Sequence, residues 1–62
     1  MDFIHLTDMA GGTIVVDVYN IALVLPTDRT TVELYKGADL SVQQTPAQII
    51  QLIADAKANA LK

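Results

Sequence analysis

His5 is the single histidine of the chain and the side chain best suited to general-base work near neutral pH. A working base needs a nucleophile in reach and a third group to orient it. The only serine, Ser41, lies far along the chain, and nothing near it resembles the strand–turn–helix elbow that exposes a nucleophilic hydroxyl. Asp8, Asp17, Asp28 and Asp39 are the carboxylates that acid–base or metal chemistry would draw on, but they stand singly in the sequence. Asp8, Asp28 and Asp39 fall in or beside turn-forming stretches, where aspartate is favoured because its side chain bonds nearby backbone amides. With no cysteine, thiolate metal sites and disulfides are both excluded. Gly11-Gly12 precedes a β-branched run, whereas phosphate-cradling glycines open a helix. Asp28-Arg29 reads as a solvated pair on a loop tip, and Phe3, Tyr19 and Tyr35 lack the flanking cations of a base-stacking platform. The expectation is therefore no catalytic residue, no metal or other cofactor, and no enzymatic activity.

The elements that would have to position any site are few. The 62 residues make one domain, 1–62, whose core is marginal at this size. Chains this short gain stability from disulfides, metals or association, and only association is left. The apolar fraction is 52% and the mean hydropathy is +0.37, more than so small an interior can hide. A net charge of −3 and a pI near 4.5 argue against nucleic acid and anionic lipid surfaces, which need clustered cations. The longest apolar run, Ile21 to Leu25, is too short to span a bilayer, so no membrane insertion is expected. The opening Met1-Asp2 lacks a basic leader region, so no secretory signal is expected. The expected location is the cytoplasm, with a virion as the alternative.

Strand signals fill the first two thirds. Phe3–Thr7 is a short β-type run, and Asp8–Gly12 is a turn. Thr13–Val18 is the richest β-branched stretch, followed by a tight bend or bulge at Tyr19-Asn20. Ile21–Leu25 is a strand closed by Pro26. Thr31–Tyr35 and Asp39–Gln43 alternate with period two around Lys36-Gly37-Ala38, the clearest hairpin in the chain. A helix follows over about 46–60. Thr45 is its N-cap, Pro46 its first residue, and Gln48 completes a capping box. Ile49, Ile50, Ile53, Ala56 and Ala60 are expected on one face, with Leu52 and Leu61 at its edges. Gln48, Gln51, Asp55 and Asn59 are expected opposite, and Lys57 and Lys62 near the negative end of the helix dipole. The fold class is α+β: a small, twisted, mainly antiparallel sheet of four or five strands, within about residues 2–43, with one C-terminal helix.

Register then separates two faces. Ile4, Leu6, Ile14, Val16, Val18, Ile21, Leu23, Leu25, Val32, Leu34, Leu40 and Val42 form one inward set. The other parity still carries Phe3, Val15, Val24 and Tyr35 among polar residues. Strands that are apolar on both parities are buried on both faces, and one helix covers only one. Phe3, Val15, Val24 and Tyr35 are therefore the expected interface residues. Closure of the sheet into a small barrel is the competing expectation, with both faces hidden inside one chain.

The order Ile4-His5-Leu6-Thr7, Gly11-Gly12, Ile14-Val15-Val16 and Asn20-Ile21 resembles the opening of the FlbD-type small flagellar and swarming-motility proteins. Pro26-Thr27-Asp28, Thr31-Val32-Glu33-Leu34, Lys36-Gly37, Val42 and the segment from Thr45 to Leu61 continue that pattern over almost the whole chain. The resemblance implies a non-enzymatic accessory protein, acting by protein–protein interaction as a homo-oligomer or within a larger assembly. Chains of similar look also stand beside phage genes. That implies an alternative role as a virion structural accessory, such as a capsid decoration or cement subunit or a tail component.

Overall fold

The computed structural model describes residues 2–60, with side chains through Ala58. Five strands precede one helix: β1 (Phe3–Thr7), β2 (Thr13–Asp17), β3 (Ile21–Pro26), β4 (Thr30–Leu34), β5 (Leu40–Val42) and α1 (Pro46–Ala60). All pairing is antiparallel, but the strands form two sheets, β1-β2 and β3-β4-β5. The chain is α+β, as its patterning predicts. Glycine is required at two of its turns, since Gly11 and Gly37 both hold positive φ, at 94° and 119°. The bend expected at Tyr19-Asn20 is a 3-10 turn over Val18–Asn20, capped by Asp17, whose Oδ1 accepts the Tyr19 N–H at 3.0 Å.

A corner joins the two sheets. Asp8 forms an isolated antiparallel bridge to Val42. Beside it Gln43 N–H donates to the Thr7 carbonyl (2.8 Å) and Gln43 Nε2 to the Asp8 carbonyl (2.9 Å). The Gln44 side chain grips Thr7 twice: its Oε1 accepts from the Thr7 N–H (2.8 Å) and its Nε2 donates to the Thr7 hydroxyl (3.0 Å). These bonds satisfy backbone groups that would otherwise be left at the sheet margin, and they fold one sheet against the other.

The space between the sheets is the core. Ile4, Leu6, Val16, Val18, Val32, Val42 and Ile49 are buried, with Ile14, Ile21, Val24, Leu34, Leu40, Leu52, Ile53 and Ala56 packed around them. The helix starts where its signals stand. Gln48 N–H donates to Thr45 Oγ1 (3.1 Å) and Thr45 N–H to Gln48 Oε1 (2.9 Å), a reciprocal capping box.

Two expectations about facing are corrected. The inward parity expected for β3 holds at Ile21 and then reverses. Ile21 pairs with Leu34 and Leu23 with Glu33, so Ala22 is an extra residue, a bulge. Past it, Leu23 points out and is 55% exposed, while Val24 pairs with Val32 and packs on the core. Val24 is thus a core-packing residue, contrary to its expected outward position. In α1, Ile50 is 64% exposed. The buried stripe centres on Ile49, Leu52, Ile53 and Ala56, and Ile50 lies about 100° round from Ile49. The expectations for the side chains of Asn59 and Ala60, and for Leu61 and Lys62, lie outside the described residues.

Truncating a fully buried side chain of so small a core is expected to cost a large share of its stability. Ile49→Ala should lower the unfolding free energy by roughly 2–5 kcal/mol, and Gln44→Ala, which leaves the Thr7 amide unpaired, by about 1–3 kcal/mol. Urea titration followed by circular dichroism checks both, and an unchanged midpoint for Gln44→Ala would remove the corner from this account.

Candidate interaction surface

The residues that could do chemistry are kept apart. His5 stands exposed on the outer face of β1, directly across from Val15 of β2. Ser41 lies in the other sheet, exposed on β5 and across from Thr31. Asp8 is engaged locally: its Oδ1 accepts the Ala10 N–H (2.9 Å) and the Gly12 N–H (2.8 Å), which shapes the β1–β2 turn. Asp28 and Asp39 are exposed on turns. Among the described residues, no group of three or more histidines and carboxylates converges to hold a metal ion. A hollow of about 520 Å³ is an open depression at the β3–β4 turn, lined by Pro26, Thr27, Asp28, Arg29, Thr31 and Ser41. Its hydroxyls are partly spent on each other and on backbone, Thr27 Oγ1 bonding the Arg29 carbonyl and approaching Thr31 Oγ1 at 3.4 Å.

The outer face of the β1-β2 sheet is different. Ile4, Leu6 and Val16 point into the core, so strand alternation turns Phe3, His5, Thr13, Val15 and Asp17 the other way. Phe3 is 50% and Val15 56% exposed, and α1, which packs on the core side, leaves that face open. Of the four expected interface residues, the structure brings Phe3 and Val15 onto this one face. Tyr35 lies just past β4, 73% exposed, and shares a hollow of about 410 Å³ with Asp17, Tyr19, Asn20 and Lys36. That hollow adjoins the face through Asp17, the cross-strand partner of Phe3. Val24 belongs to the core instead.

Tyr19 was not anticipated at this surface. The 3-10 turn carries it outward, 61% exposed, where its hydroxyl donates to Asp2 Oδ2 (3.1 Å) and Lys57 Nζ sits 5.4 Å from the ring centroid. Asp17-Val18-Tyr19, an aspartate able to cap a turn two residues on, was the sequence signal for it. The Asp2 carboxylate raises the Tyr19 phenol above its ordinary value, first by accepting its hydrogen bond and then by its charge, with smaller contributions from desolvation and Asp17. Leu23, expected inward, is another large apolar side chain that the sequence misplaces. Its signal is the unalternating Ile21–Leu25 run facing the strictly alternating β4, a mismatch that a bulge absorbs.

Comparison with protein-family models, with curated proteins and with solved structures found no match. Among the described residues, no helix is long and apolar enough to cross a membrane.

The Tyr19–Asp2 contact carries a pH expectation. A phenol whose folded pKa is raised contributes stability that is present at lower pH and is lost as pH rises through that folded value. In the Tyr35→Phe background, absorbance titration should show Tyr19 ionising above the free-tyrosine range, and Asp2→Asn should bring it back down. Identical curves for the two proteins would contradict the contact.

Proposed function

We propose that this chain is a non-enzymatic interaction module that works by associating with copies of itself, in line with the FlbD-type resemblance of its sequence. One observation carries the reading: Phe3 and Val15 lie diagonally across the β1–β2 pair on an outer sheet face that the helix leaves open. Isolated apolar side chains on a surface are ordinary, but this pair belongs to a sheet whose opposite face already fills the core. Association buries that face at about 25 cal/mol for each Å² removed from water, several kcal/mol for a handful of side chains. That is comparable with the whole stability expected of a domain this size, of order 5 kcal/mol. The excess of carboxylates over cations fits a protein partner better than a nucleic acid.

Equilibrium sedimentation between about 1 and 100 µM tests the proposal, with association expected in the micromolar range. Val15→Glu should weaken it at least tenfold while leaving the circular dichroism spectrum intact, because Val15 is not a core residue. A monomer across the whole range would overturn the reading.

A further inference from the structure

Of the four edge strands of the two sheets, β1 and β5 meet at the corner, and the chain treats the other two, β2 and β3, differently. β3 carries the Ala22 bulge and Pro26, devices that keep a sheet edge from pairing with another chain, and α1 packs beside it. β2, Thr13-Ile14-Val15-Val16-Asp17, has no proline, lysine, glycine or bulge, and its register with β1 is unbroken. The direction of its free backbone groups follows from the bonds at either end of that register. Val18 N–H donates to the Asp2 carbonyl and Asp8 N–H to the Gly12 carbonyl, both at 2.9 Å, which makes these the closely bonded pairs of the ladder. By alternation, Ile4–Val16 and Leu6–Ile14 are also bonded pairs. The amides of Thr13, Val15 and Asp17 and the carbonyls of Thr13 and Val15 therefore point away from β1 with no partner among the described residues, whereas the Asp17 carbonyl, at the N-cap of the 3-10 turn, already accepts that turn's first bond.

We propose that β2 pairs antiparallel with β2 of a second copy, about a two-fold axis at Val15. This register fits the strand to itself. Val15 exchanges both backbone bonds with Val15 of the second copy, and at each end the Asp17 N–H donates to the Thr13 carbonyl. It is also the register in which all five strand residues overlap and the two carboxylates stay apart at opposite ends. Centring the axis on Asp17 instead places like charges face to face, which disfavours pairing. The Thr13 hydroxyl comes opposite the Asp17 carboxylate, whose Oδ1 is held by Tyr19 N–H and whose Oδ2 is open to accept it. On the inner face, half-buried Ile14 meets Val16. On the outer face, His5–Val15–Val15–His5 becomes one continuous row across four strands, with Phe3 at one end of each neighbouring row. A five-residue strand buries little area, so the pairing belongs to the weak class of interfaces, with a dissociation constant of roughly tens of micromolar unless the outer face is also engaged.

This inference rests on the self-association reading and adds an edge contact to it: the edge pairing joins two outer faces into one larger surface and does not itself cover Phe3. Residue-resolved amide hydrogen exchange of the wild-type chain, across a dilution series that brackets association measured by sedimentation, separates the two. Protection of the Val15 and Asp17 amides that grows at least tenfold with concentration, while Ile14 and Val16 stay protected throughout, is the expected result. Val15→Pro, which deletes the central donor on an edge position, should abolish that growth with the fold retained. Association that leaves the two amides as exposed as in dilute solution overturns the β2 pairing and leaves self-association standing. No association at any concentration overturns both.

Discussion

One helix can cover only one face of a sheet, and in this chain that constraint governs everything else. The fifteen residues of α1 supply Ile49 and its neighbours to the space between the sheets, and that space takes the inward side of every strand. Among the described residues nothing comparable covers the outer face of β1-β2. The corner at Thr7, Asp8, Gln43 and Gln44 sharpens the constraint. By holding the two sheets against each other it completes a small core, but it also fixes Phe3 and Val15 on the outside.

Energetics at this size make the open face consequential. A domain of 62 residues retains only a few kcal/mol of net stability, and no disulfide adds to it. Removing a sheet face from water is then not a minor correction but a contribution of the same order as folding. The chain guards β3 with a bulge, a proline and the helix, while it leaves β2 regular and β-branched. In the proposed account, that asymmetry decides which edge meets a neighbour.

Much of the fold was legible in the sequence because its signals were local. Thr45, Pro46 and Gln48 set the helix start through a capping box, Gly37 its hairpin through positive φ, and the alternation in β4 its facing. The misreadings came where local signals were weak. In the Ile21–Leu25 run every residue is apolar, so alternation has no polar residue to mark its phase, and the Ala22 bulge that reverses it is set by pairing with β4. Helical spacing sets Ile50 on the same broad face as Ile49, and the 100° step between them decides that one is buried and the other exposed. The corner that joins the two sheets depends on side-chain bonds from Gln43 to Asp8 and from Gln44 to Thr7, which no local pattern announces. Phe3 and Val15 were readable as outward because polar neighbours such as His5, Thr13 and Asp17 share their parity.

The central claim is that the Phe3–Val15 face is open in one copy and covered in the working protein. Solvent paramagnetic relaxation of the Phe3 ring and the Val15 methyl groups, read by NMR with a soluble gadolinium probe, addresses it at the atoms concerned. The account predicts strong relaxation in dilute solution and marked shielding of both groups as concentration rises. Relaxation that stays equally strong at every concentration contradicts it.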